Sequence, residues 1–198
     1  MRLAPTLAVA LLATVFALPA HAVKLIFFTT MSGPEENPPV ASTATGNATV
    51  IFDLGAASAT MRVVAEFDGL LGDATVAHIH CCVAPPGNVG VATYPSTFTG
   101  WPSGEGVRSG TYDRTFDMSL ATSYTGGFLT ANGGTPASAL AGLLAGLEAG
   151  RGYFNVHSRF APGGEIRGFL VRVPEPGSLA LLGLGLAGLA WARRRHAA

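Results

Sequence analysis

Apolar residues of this chain recur at every second position in several stretches. Val50, Phe52 and Leu54 alternate with small or polar residues, and Met61, Val63, Ala65 and Phe67 do the same. Side chains two apart on a strand share a face, so each stretch predicts a strand with one buried face. Further strands are expected at residues 23–30, 74–80, 111–120, 152–158 and 165–173. Turn clusters separate them, such as Ser32-Gly33-Pro34, Pro85-Pro86-Gly87-Asn88 and Ala161-Pro162-Gly163-Gly164. Seven short strands punctuated in this way predict an all-β domain, a β-sandwich or barrel. One stretch breaks the alternation. Leu140, Leu143, Leu144 and Leu147 stand at i, i+3, i+4 and i+7, which predicts one short helix over residues 136–149, its apolar stripe packed on a sheet.

The two ends follow a different pattern. Arg2 precedes an apolar run at residues 7–18, followed by Pro19-Ala20-His21-Ala22. These are the parts of a secretory signal peptide over residues 1–22, cut by signal peptidase to leave Val23 first. The run is shorter than the roughly 20 apolar residues a membrane span needs. At the other end stand Pro174, Glu175 and Pro176, an uncharged stretch at residues 178–192, then Arg193, Arg194 and Arg195. Arginines of this kind hold their end in the cytoplasm. As a helix, the uncharged stretch covers about 22 Å of a roughly 30 Å hydrocarbon core, a marginal span suited to a temporary hold. Gly183, Gly185 and Gly188 match a dinucleotide fingerprint by letter. They lie in this tail without the following acidic residue, so they read as small residues of a membrane helix, and no nucleotide site is expected.

The tail, taken over residues 174–198, resembles the PEP-CTERM sorting signal of Gram-negative bacteria. That resemblance implies cleavage by an exosortase near Pro174–Pro176, a C-terminal transmembrane helix as a transient inner-membrane anchor, and delivery to the cell surface or extracellular matrix.

Charge excludes some classes of function. Charged residues are 12% of the 198 and the formal net charge is zero. Between the two end segments, eight basic residues face eleven acidic ones, a charge of −3. Neither a basic nucleic-acid surface nor an acidic tail is present, so no nucleic-acid partner is expected.

Three passages in residues 23–173 carry a second resemblance. They are Gly33-Pro34-Glu35-Glu36-Asn37-Pro38-Pro39-Val40, then Ala77-His78-Ile79-His80, then Tyr153-Phe154-Asn155-Val156-His157 with Pro162-Gly163-Gly164-Glu165-Ile166-Arg167-Gly168. Their order and composition resemble the CHRD domain, with Asn155, Glu165 and Arg167 among the motif residues. The resemblance implies an immunoglobulin-like or superoxide-dismutase-like β-sandwich and no established enzymatic activity.

Candidate chemistry rests on His78, His80 and His157, the histidines left when both end segments are removed. His78 and His80 project from one strand face, and three converging neutral imidazoles suit copper or zinc. A His-x-His strand with a late histidine is also similar to copper–zinc superoxide dismutase, although the further histidines and the aspartate of its zinc half are absent. By that analogy Arg167 steers an anion to the metal. Alternatively the histidines hydrogen-bond to loop backbone, with Glu165 and Arg167 either paired with each other or each meeting a cross-strand partner. Cys81 and Cys82 leave three options: a bond between neighbours, thiolate ligands completing the histidine site, or intermolecular disulfides. The expected function is a binding or structural module of surface or matrix material, meeting a matrix polysaccharide or a surface protein. The alternative is a copper-dependent redox enzyme on the three histidines.

Overall fold

The computed structural model describes residues 24–94 and 97–174, and beyond them residues 183–186, 188, 189 and 193, all helical. The expected signal peptide and most of the sorting tail, with Glu175, Pro176, Arg194 and Arg195, lie outside the described residues. Among the described residues no helix is long and apolar enough to cross a membrane.

The strands are β1 (Lys24–Ser32), β2 (Thr45–Asp53), β3 (Thr60–Asp68), β4 (Ala74–Cys81), β5 (Val91–Thr93), β6 (Gly110–Asp117), β7 (Gly152–Ser158), β8 (Ile166–Phe169) and β9 (Val171–Val173). Two helices, α1 (Gly126–Ala131) and α2 (Pro136–Glu148), lie between β6 and β7. The strands form one antiparallel sheet in the order β5-β4-β7-β8-β1-β2-β3-β6, with β9 also against β1. The fold is all-β, as the alternation predicts. Hydrogen bonding runs unbroken through a single curled sheet.

The alternation decides which face is dry. Phe27, Val50, Phe52, Met61 and Val63 point inward from β1, β2 and β3 and are fully buried. Phe154 and Val156 of β7, Ile79 of β4 and Ile166 of β8 join them in one apolar core. The curl is held by the segment between β5 and β6. Along β4 it gives Phe98 N–H to Ala77 O (3.4 Å) and Gly104 N–H to Ala74 O (3.0 Å), while Ala74 N–H donates to Val107 O (2.7 Å). On the far side Tyr112 of β6 donates its hydroxyl to Thr99 O at 2.9 Å. The segment thus seams β4 to β6, strands near opposite ends of the sheet order. Its Phe98 fills the gap, with ring centroids 5.6 Å from both Phe154 and Phe116. Aromatic contacts of this kind add to the burial of their area, itself worth about 1.5–3 kcal/mol per large side chain.

α2 ends one residue short of its expected span. Thr135 caps it in a reciprocal box with Ser138, and Leu143 and Leu147 carry the apolar stripe into the core. Leu140 and Leu144 pack at its margin. Gly146 faces Cys81 and Cys82, where a Cβ would collide with both sulfurs, so the helix lies close only because that position has no side chain.

Among the described residues nine strands appear where seven are predicted. Residues 165–173 divide at Leu170, whose N–H turns back to Gly152 O (2.9 Å), so the run becomes β8 and β9. β5 has three residues, too few to show a period, and α1 opens on Gly126-Gly127, which predict a turn rather than a helix. The single helix expected between these strands is therefore one of two α-helices between β6 and β7.

Candidate metal site

Inward side chains of β4, β7 and β8 build the core; their outward neighbours build a second, polar layer. His78 and His80 leave β4 on the outer face, opposite Asn155 and Tyr153 of β7, and Asn155 pairs in turn with Arg167 of β8. His157 follows Asn155 by two and shares its face. Two loops lie over this layer, residues 33–44 and 82–90. They bury Glu36, His78, Asn155 and Arg167 and leave His80 and His157 half-buried.

The spacing brings the three histidines together. One ring nitrogen from each lies within 4.8 Å of the others. His78 Nδ1 is 3.4 Å from His157 Nε2. Two nitrogens bound tetrahedrally to one ion at about 2.0–2.1 Å would stand about 3.3–3.4 Å apart, so this pair already has the spacing of shared ligands.

Loop backbone orients two of the rings. His80 Nδ1 meets Val89 O at 2.8 Å, and His157 Nδ1 meets Pro162 O at 2.9 Å. A carbonyl can only accept, so both Nδ1 atoms carry the proton and both Nε2 atoms present a lone pair. A carbonyl behind a ligating imidazole fixes its tautomer and raises its basicity toward a metal. His80 Nε2 is buried with no hydrogen-bond partner. Burial lowers the His80 pKa to about 4, against the opposing pull of the Val89 carbonyl, and lowers that of His157 as well. Both are neutral at pH 7, the form that ligates.

Arg167 corrects the anion-steering expectation. It is 1% exposed, and its guanidinium donates to Glu35 O, Pro86 O (2.8 Å) and Asn88 Oδ1 (2.6 Å). Glu36 lies 3.8 Å from its Nε. The fork is committed to the protein, so it holds the 86–89 loop and presents no free charge to an anion. The loop's next carbonyl is Val89 O, the one that orients His80. Below the fork lies the Tyr153 ring, 4.8 Å away, and that ring stacks on His80 at 4.6 Å and 5°. Arg167 therefore positions His80 by two routes, carbonyl and ring.

Glu165 and Arg167 do not pair with each other. The fully buried Glu165 carboxylate accepts from Ser42 Oγ (2.6 Å), Leu71 N–H (2.7 Å), Gly72 N–H (3.4 Å) and Ser158 Oγ, tying two loops and the end of β7 to one point. Asn155 gives its amide to Glu36 Oε1 at 2.6 Å. Glu36 is pushed up to about 7, because burial outweighs the Arg167 charge and the Asn155 hydrogen bond.

Cys81 and Cys82 stand apart from the site. They are disulfide-bonded to each other, so neither offers a thiolate. Cys81 also points to the opposite face from His80, into the core against α2. Sequence reasoning found the three rings but missed Val89, Pro162, Tyr153 and Glu36. The turn clusters Pro85–Asn88 and Ala161–Gly164 are the signal for the two carbonyls, although a turn cluster does not reveal what its carbonyls face.

Comparison with known families gives two matches. The model of the CHRD domain matches residues 27–170, and that of the PEP-CTERM protein-sorting motif matches residues 172–195. No curated protein and no solved structure matches significantly. The motif implies processing by an exosortase, export and association with the Gram-negative cell envelope. With residues 27–170 covered by one family model, the chain belongs to the CHRD domain family and carries a PEP-CTERM sorting motif.

Proposed function

We propose that this protein is a metal-binding surface module: exported, held briefly at the inner membrane by its tail, cut by an exosortase and delivered to the envelope or extracellular matrix. Its curled sheet reads as a β-sandwich of the immunoglobulin-like or superoxide-dismutase-like kind. His78, His80 and His157 would hold one copper or zinc ion, which would supply a Lewis-acidic, cross-linking or stabilising centre to the domain. One observation carries this reading. Three ring nitrogens converge with two tautomers set by main-chain carbonyls and one lone pair, that of His80, buried without a partner. A buried lone pair costs free energy unless something donates to it, and a metal ion held between the three rings would accept that of His80.

The chain's own residues do the rest of the work. Val89 O and Pro162 O keep the rings neutral and aimed; Tyr153 and Arg167 keep His80 from turning; the 33–44 and 82–90 loops limit water. The copper redox alternative retains the same ligands but loses its anion guide, since Arg167 is committed to the 86–89 loop. The test is elemental analysis of the full chain purified from a source cell. About one copper or zinc per chain, abolished by His157→Ala, is expected. Metal-free protein that also fails to take up added copper or zinc would reject the reading. Superoxide dismutation by the same sample would move the redox alternative ahead. Intact mass beginning at Val23 and lacking Arg193, Arg194 and Arg195 is expected of the exported form.

A further inference from the structure

The outer face that is polar and covered near Arg167 is apolar and bare at its other end. Ile26 pairs with Val173 on one side and Ile51 on the other, and Phe28 pairs with Val171. All five point outward. Phe28 is 41% exposed, Val171 65% and Val173 38%, with Ile26 and Ile51 half-buried. Leu54, just past β2 at the same end, is 37% exposed. Single exposed apolar residues need no explanation, but a run of them across three adjacent strands does.

What covers it is written in the chain that follows. Val173 ends β9, and only residues 174–177 separate it from the uncharged stretch beginning at Ser178. Four residues reach at most about 14 Å. The match to the sorting motif begins at residue 172, inside β9 itself. Lys24, next to the expected mature N-terminus, opens β1 at this same end. Both targeting segments therefore leave the domain beside the strip. A domain tethered so closely to a membrane-inserted segment must rest against the bilayer on this end.

We propose that the strip formed by Ile26, Phe28, Ile51, Val171 and Val173 lies on the membrane surface while the tail is still inserted, and is uncovered when the tail is cut. The inference rests on the tail being a membrane hold. Aromatic and branched apolar side chains entering the headgroup boundary are the usual chemistry of such contact. The histidine site stays clear of it. Arg167 stands six residues above Val173, about 20 Å along the sheet, and the three rings lie level with it or near it. Docking would thus present the metal site away from the lipid.

The test uses the full chain reconstituted in phosphatidylethanolamine–phosphatidylglycerol vesicles, with lipids brominated high on the acyl chain as quenchers of tryptophan. The native tryptophans divide the question. Trp101 is 5% exposed in the core and gives a constant background, while Trp191 in the tail reports insertion. In a Trp191→Phe background, Phe28→Trp should lose emission to bromolipid and shift to the blue, and Val171→Trp should do the same. Phe160→Trp, 52% exposed beyond the far end of β7, should do neither. Quenching of Trp191 with none at positions 28 and 171 beyond that at 160 would overturn the docking surface alone. No quenching of Trp191 would overturn the tail reading and the docking inference with it. A blue shift at position 28 without bromolipid quenching would put a protein, not lipid, on the strip and would also overturn it.

Discussion

The two faces of β4, β7 and β8 obey opposite rules. Inward, Ile79, Phe154 and Ile166 are fully buried among apolar neighbours, and their contribution is area removed from water. Outward, the same three strands carry His78, His80, Tyr153, Asn155, His157 and Arg167 beneath two loops, where nearly every polar atom has a named partner. Alternation alone makes such a division. One residue of register would exchange the two sets, so the pairing is fixed strongly from both sides. The inner face tolerates any filling of the right volume and shape. The outer layer is worth building only if its polar groups are satisfied, and the atoms left over are informative: His80 Nε2 and Asn155 Oδ1 are both in it.

The largest expected effect separates the faces by stability. Phe154→Ala removes an inner ring that touches both Phe98 and Trp101 and should cost about 3–5 kcal/mol in urea unfolding. The folded fraction should keep its metal affinity. A parallel loss of affinity would mean that the two faces are not separable.

Next comes the fork. Arg167→Lys keeps a charge beside Glu36 but cannot hold Pro86 O and Asn88 Oδ1 together. Metal affinity should fall about 10–100-fold, and the visible bands of the cobalt-loaded protein should shift, because Val89 O and the His80 ring move. Unchanged bands would reduce Arg167 to a purely structural role.

The layer also has a pH signature. Glu36, with a folded pKa of about 7 against 4.5, favours the protonated form in the folded state. Its stabilising contribution is full below about pH 4.5 and is lost as pH rises to about 7, on the order of 1–3 kcal/mol. His80 acts in the opposite sense: its folded pKa of about 4 gives stability above about 6.5 that is lost as pH falls toward 4. In the metal-free chain the two partly cancel. Glu36→Gln removes only the first, so the variant should gain stability steadily from pH 4.5 to 7 where the parent is nearly flat. Identical melting profiles over that window would contradict the burial of Glu36.

The smallest effect is the most discriminating between the faces. In the metal-free chain His80→Ala deletes a half-buried ring whose Nε2 has no partner, so stability should change by less than about 1–2 kcal/mol. An inner residue of similar size would cost far more.

How much of this was legible depends on the face. The inner pattern is periodic, so β1, β2, β3, β4, β6 and β7 follow from alternation, and α2 from its leucines. The outer rings were legible as well, because His78 and His80 share a face by spacing and His157 is the remaining histidine. Their supports were not. Val89 O and Pro162 O are backbone atoms that any residue could supply, and the loops bringing them over the sheet follow from tertiary folding. Arg167 was visible as a residue, but its role depends on Pro86 and Asn88, eighty positions away. Cys81 and Cys82 illustrate the same limit: the alternation puts Cys81 inward, away from the histidines, yet adjacency alone left three options open, only two of them disulfides.

Thermal melting of the full chain with and without metal bears most directly on the outer layer. With copper or zinc near one hundred times its dissociation constant, binding to the folded state contributes about 2.7 kcal/mol and should raise the melting temperature by about 5–10 °C. A chelator should reverse that rise, and His80→Ala or His157→Ala should abolish it while leaving the metal-free melt close to the parent's. A melting temperature indifferent to metal and to chelator would contradict the account and leave the three histidines as hydrogen-bonding struts for the loops above them.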